Sequence, residues 1–276
     1  MPKHIKWNET QLLSLTLIVF LCSPVFLLAQ KKETKRKHEI YFSWGYNEEW
    51  YTHSTIHISQ PNLGNDYQLN SITARDHPGW DEGIFNRGIT VPQFNVRVGY
   101  VFNEENGWIF ELNYDHPKFI VNEGNVHLTG RLNKQPVDTT VMFTQANGYH
   151  YYLNNGANFF LFDIVKRLHM YKTRDEKFKL DFLAKFGVGF TVPHVDNELF
   201  GHTNVPHFQI GGWNTGVEAA IRATFFRYVY LEYGNKLDYA RYSGLGLYEG
   251  TAHQAFGTYE MMLSLGLVFP AGKKIN

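Results

Sequence analysis

The stretch from Gly257 to Phe269, G-T-Y-E-M-M-L-S-L-G-L-V-F, constrains the fold of this chain more than any other. Counting back from Phe269, every second residue is apolar: Leu267, Leu265, Leu263, Met261, Tyr259. Between them stand Val268, Gly266, Ser264, Met262, Glu260 and Thr258, smaller or more polar on average. A period of two marks a β-strand with unlike faces. Its odd face is aromatic at both ends and aliphatic in the middle. A strand that faces lipid needs that order, with an apolar band between two aromatic girdles, whereas a strand of a soluble sandwich does not.

The same alternation recurs along the chain. Phe94, Val96, Val98, Tyr100 and Phe102 share one face of a strand, and Trp108, Phe110, Leu112 and Tyr114 share one face of the next. Twelve strands are predicted, at 38–46, 50–59, 67–74, 94–102, 108–115, 125–132, 139–151, 156–165, 177–190, 208–222, 228–238 and 257–269. Ten is the alternative. Traced back from Phe269, the connections at 223–227, 133–138, 103–107 and 61–66 fall on the periplasmic side, where barrel turns are short. Those at 239–256, 191–207 and 75–91 fall outside. The 166–176 connection is longer than a periplasmic turn should be. The expected fold is an all-β transmembrane antiparallel barrel.

Aromatic residues make up 16% of the 276 residues, a composition suited to strands and membrane interfaces. The net charge is zero, so nothing points to nucleic acid. Residues 1–29 have the pattern of a signal peptide: Lys3 and Lys6, then an apolar run from Leu12 to Leu28 broken by Pro24. Pro24 and the shortness of the run disfavour a spanning helix. The only cysteine, Cys22, lies in that segment, so disulfides do not stabilise the remainder. The expected organisation is signal peptide 1–29, basic lead-in 30–37, barrel 38–269 and tail 270–276.

The terminal stretch resembles the C-terminal strand of bacterial outer-membrane β-barrels, which usually closes on an aromatic. In composition and aromatic-rich strands, residues 38–269 resemble outer-membrane barrel proteins of the Bacteroidota. The resemblance implies the bacterial outer membrane as location, its lipids as surroundings, and the barrel-assembly machinery as a partner acting through the last strand. It implies no activity.

Alternation places Arg97, Glu111, Lys179, Asp181, Lys185, Glu218, Arg222, Glu232, Lys236 and Glu260 inside the barrel. The two signs are equal in number, so the set suits internal pairing that closes the lumen rather than a selectivity filter. A hairpin centred near Glu105 puts Gly99 opposite Glu111, with Arg97 one diagonal step away.

In the outer loops, His194, Asp196, His202 and His207 are candidate metal ligands, although their spacing matches no compact motif. Trp80, Tyr242, Leu245, Leu247 and Tyr248 form a candidate apolar loop surface. Ser243 and His253, with Glu249 as orienter, are the candidate hydrolytic constellation. His53 and Ser54 are adjacent on a strand and point to opposite faces. The H-x-S-N type of motif associated with outer-membrane lipid hydrolases is missing. The expected function is a non-enzymatic barrel without cofactor, either a narrow passive pore or a surface-exposed binding protein. The alternative is a lipid A deacylase or phospholipase acting at the outer rim.

Overall fold

The computed structural model describes residues 36–79, 92–103 and 106–274. The expected signal peptide and most of the lead-in lie outside them, as does Trp80. The strands are β1 (Arg36–Tyr51), β2 (Ser54–Gln60), β3 (Asn65–Ile72), β4 (Ala74–Arg75), β5 (Phe94–Asn103) and β6 (Trp108–Asp115). Then come β7 (Phe119–Val121), β8 (Gly124–Leu132), β9 (Gln135–Phe143), β10 (His150–Leu153), β11 (Phe159–Lys172) and β12 (Phe178–Thr191). The last six are β13 (His194–Leu199), β14 (His202–Thr203), β15 (His207–Phe208), β16 (Gly212–Phe225), β17 (Val229–Gly246) and β18 (Thr251–Lys274).

Twelve strands share one antiparallel sheet, in the order β1-β5-β6-β11-β12-β16-β17-β18-β2-β3-β8-β9. A further pairing, β1 with β18, closes the first eight into a ring. Eleven of the expected strands are found, whereas the one expected at 139–151 divides into β9 and β10; those near 50–59, 67–74 and 125–132, together with β9, leave the ring. They extend the sheet upward as an arm attached to the top of β18 at Thr251–His253. The hairpin tips at 61–64 and 133–134, expected on the same side as the 223–227 turn, consequently lie at the far end of this arm, opposite the 226–228 turn. The 166–176 connection shortens to 173–177, because β11 runs on to Lys172 and β12 begins at Phe178. At the C-terminus, β18 continues past Phe269 and pairs Pro270 with Glu39.

The connections between ring strands supply a second sheet, ordered β14-β13-β10-β7-β4, with β15 on β13. It packs on the arm around a dry core that includes Ile56, Leu69, Phe119, Leu128, Tyr151, Leu199 and Phe256. The result is a sandwich-like cap standing on a barrel.

In the ring, the outward residues are apolar and exposed, among them Phe42, Val98, Leu112, Phe162, Phe186, Val217, Leu231 and Leu265. The inward residues are largely polar and buried. Polar inside and apolar outside is the arrangement of a transmembrane barrel. Eight strands leave an interior just wide enough for side chains to fill.

Candidate functional site

The barrel floor is apolar, made by Tyr41, Val101, Ile109, Val165, Leu183, Ala220, Tyr230 and Val268. Two glycines create the room for its tyrosines. A Cβ on Gly99 would lie 2.0 Å from the Tyr41 ring, and one on Gly266 would lie 2.1 Å from the Tyr230 ring. Arg222 is held between the two rings, its guanidinium carbon 4.0 Å from one centroid and 4.1 Å from the other. It also donates to Glu232 at 2.5 Å. A cation stacked on two aromatic faces and paired with a carboxylate is well compensated away from water.

Above this floor, Lys185 Nζ lies 3.0 Å from Glu111, 2.9 Å from Glu218 and 2.7 Å from Glu232. Tyr41 donates its hydroxyl proton to Glu111. One step higher, Arg97 pairs with Asp115 at 2.6 Å, and its contacts with Glu111 and Glu218 are longer, each 3.7 Å. The hairpin register sets Gly99 opposite Glu111. Lys236 Nζ serves Asp115, Asp238 and Glu260, the last two at 2.9 Å each. Those three carboxylates are also the one cluster of possible metal ligands among the described residues, and the Lys236 ammonium occupies its centre.

Nine of the ten expected lumen residues are buried. The tenth, Lys179, sits at the lower rim, 3.9 Å from Glu39. Asp181 pairs there with His169 at 2.5 Å. The balance of five and five is not what the barrel contains. Among the described residues of the barrel, buried Glu49, Asp115, Asp163 and Asp238 join the five acids and Arg167 joins the four buried bases, giving nine buried carboxylates and five buried cations. Each central lysine therefore serves several carboxylates. Parity along 228–238 puts Asp238 beside Lys236 and Glu232, so that acid was legible; Asp163 lies on a Phe-rich strand with poor alternation and was not. The gap left beside Leu161, Asp163, Lys185, Gly216, Glu218 and Lys236 has no room for a water molecule.

At the tip of the cap lies a hollow of about 330 Å³, lined by Leu63, Asn65, Leu132, Asn133, Phe200, His202 and Tyr248. The His202 and Tyr248 rings stack 4.8 Å apart. Phe200 adopts a left-handed φ of 54° in the tight turn between β13 and β14. Bulky residues rarely do so, and edge contacts with Tyr67 (6.0 Å) and Tyr149 (5.2 Å) hold it there. Burial pushes both tyrosine hydroxyls above their ordinary value. A second hollow of about 240 Å³ on the neighbouring tips is lined by polar groups that include Asp66, Arg131 and Lys134. Chain-distant tips form both hollows, so no local motif announced them.

The other candidates do not assemble. His253 Nδ1 accepts the Gly244 N–H at 3.3 Å, and its Nε2 lies 3.5 Å from the Thr251 hydroxyl. Glu249 accepts from the Asn62 amide at 2.7 Å instead of orienting His253. Of the metal candidates, Asp196 bonds His150 at 3.0 Å, His207 bonds its own loop at Val205, His202 stacks on Tyr248, and His194 lies edge-on to Phe208. Burial holds His194 below its ordinary value against the opposing pull of Asp196. Tyr242 and Leu245, expected on a loop surface, are buried in the cap core.

No family model matches the chain, and no curated protein does. Among solved structures it is similar to the outer membrane protein OprG of Pseudomonas aeruginosa, at 12% identity and TM-score 0.39, over 86% of this chain and 98% of that one. It is also similar to the outer membrane protease OmpT of Escherichia coli, at 10% identity and TM-score 0.37, over 88% and 100%. A third is Ail, the attachment invasion locus protein of Yersinia pestis, at 14% identity and TM-score 0.34, over 84% and 99%.

Proposed function

We propose that this chain is a surface-exposed binding protein of the bacterial outer membrane, held there by a barrel that conducts nothing. The observation that carries this reading is the closed lumen: an apolar floor, a cation sandwiched between two tyrosines, and lysines each shared by several carboxylates. A passive pore needs a continuous wet path. In its place the chain invests four arm strands and a second sheet in a cap with its own dry core. That platform presents the tip hollow around His202 and Tyr248, where stacked rings and the Asn133 turn suit a ligand with both apolar faces and polar edges. Export through residues 1–29, lipid contact along the outward band and insertion through the terminal strand belong to the same reading.

The test is reconstitution of the purified full chain in planar bilayers, beside heated and unheated gel mobility. Heat-modifiable migration with no steady ion current is expected. Stepwise conductance would overturn the closed-lumen reading and make a pore the leading function. Recovery as a soluble periplasmic protein would remove the membrane from it.

A further inference from the structure

One segment of the cap breaks the polar pattern of its exterior. Residues 205–210, V-P-H-F-Q-I, lead from the small hairpin of β13 and β14 back to β16. Val205 is 83% exposed and Ile210 76%, the two highest values among the exposed large hydrophobic residues described; Phe208 is also exposed. The segment is nevertheless tied down. The Gln209 backbone N–H donates to Pro193 at 3.2 Å, its side-chain amide donates to Gly244 at 2.9 Å, and its side-chain oxygen accepts the Gly246 N–H at 2.9 Å. The Asn204 amide donates to Val195 at 3.1 Å. The polar groups fix the loop to the cap, while its apolar side chains are left in the open.

Register places those side chains. Phe208 pairs with His194, and His207 with the fully buried Val195, so Phe208 faces away from the cap core. Below it on the same path, Trp213 sits 5.6 Å from Tyr239 in the upper aromatic girdle, with Arg241 as its cross-strand partner. From Phe225 up to Trp213, strand β16 rises about 3.3 Å per residue; tilted by about 40°, it covers roughly 30 Å, the apolar thickness of a bilayer. Ile210 and Phe208 therefore begin where the hydrocarbon ends, continuous with the lipid-facing band.

We infer that segment 205–210 is an interfacial ledge: Val205, Phe208 and Ile210 rest in the headgroup region of the outer-leaflet lipid. This inference rests on the membrane location proposed above. Interfacial contact buries these apolar groups while the Gln209 side chain stays bonded to Gly244 and Gly246 on the cap. Among the described residues the tips at Asn62 and Asn133 carry no such run, so the ledge lies over the β12–β16–β17 wall.

Spin labels test this directly, because Cys22→Ser leaves a full chain without cysteine. In phosphatidylethanolamine–phosphatidylglycerol vesicles, Leu265→Cys reports the band, Gln68→Cys the outer face of the arm, and Ile210→Cys the ledge. We expect oxygen to dominate relaxation at Leu265, a water-soluble nickel chelate to dominate at Gln68, and Ile210 to shift from the Gln68 pattern toward oxygen. Nickel access at Ile210 equal to that at Gln68, with Leu265 in lipid, overturns the ledge and leaves the membrane location standing. Nickel access at Leu265 instead defeats the membrane location itself. Shielding of Ile210 that disappears when the protein is diluted in lipid assigns the surface to a second copy and likewise overturns the ledge.

Discussion

Strand β18 belongs to two regions built on opposite rules. From Tyr259 to Phe269 its odd residues are apolar and face outward, while Glu260 and Ser264 face in. From Thr251 to Phe256 the odd side carries Thr251 and His253, and the buried side carries Ala252 and Phe256. The alternation never slips; only the chemistry of its two faces exchanges. As far as Ser243 strand β17 does the same, with Tyr239 the last outward aromatic before Arg241 and Ser243, and Asp238 the last buried acid before Ala240 and Tyr242. A period of two reports that a face exists, and the solvent on each side decides which face is apolar. The exchange near 257–259 and 239–241 thus marks the passage from a region surrounded by lipid to one surrounded by water.

The largest test of this contrast is the barrel interior. Lys236→Met strands Asp115, Asp238 and Glu260 together without their shared cation. Removing one partner from a buried ion cluster costs about 3–5 kcal/mol, so the unfolding midpoint of the purified barrel in micelles should drop sharply. An unchanged midpoint would mean that water solvates these groups and that the lumen is wet. Next in size is the outer face of the band. Leu265→Arg puts a charge where lipid is expected, at a cost of about 2–4 kcal/mol near the bilayer midplane. Folded protein recovered from outer-membrane fractions should fall accordingly, and recovery equal to that of the unmodified chain would place Leu265 outside the bilayer.

Most of the ring was legible because its strands, the Phe-rich start of β11 apart, carry large apolar residues at period two, and register follows from short hairpins such as the one joining β5 and β6. Ring size was not. Strands β2, β3 and β8 also alternate, since they too bury one face: Ile56 and Ile58, Tyr67 and Leu69, Val126 and Leu128. What sets them apart is the other face, with His57 and Ser59, Asp66 and Gln68, and His127 and Thr129 where a girdle would carry aromatics. That absence of a second apolar face was the available signal. The tip hollow had none, because Leu63, Asn133, Phe200 and Tyr248 meet only through the folding of separate loops.

A smaller effect is expected at the base of the cap, where Asp76 accepts hydrogen bonds from the Glu49 N–H at 2.6 Å and the Gln93 amide at 2.9 Å. Burial pushes its carboxyl up to about 7, with those hydrogen bonds opposing. A carboxyl raised above its unfolded value holds its proton more tightly in the folded chain. Stability is therefore greatest below the unfolded value near 3.8 and is lost as pH rises through about 7. With allowance for solvent that reaches the group, the loss across that window is roughly 1–2 kcal/mol. Urea denaturation at pH 5 and pH 8 should show it, and Asp76→Asn should flatten the dependence. An equal slope in the variant would assign the pH response to other groups.

The smallest expected effect bears most directly on where the solvent changes. Gln68 stands on the outward face of β3, paired in register with His57 on one side and Thr129 on the other. If the arm belonged to a twelve-stranded transmembrane ring, this face would meet either lipid or the charged lumen, and an added guanidinium would carry a depth-dependent penalty of the Leu265→Arg kind. On a cap in water it meets solvent, and the long side chain lies along a polar sheet surface beside Asp66 and Thr129. Surface changes of that sort stay within about 0.5 kcal/mol. Gln68→Arg should therefore match the unmodified chain in membrane recovery and in unfolding midpoint, while Leu265→Arg falls below both. Equal losses at the two positions would mean that lipid reaches the arm, and the exchange of faces along β18 would then no longer mark the membrane boundary.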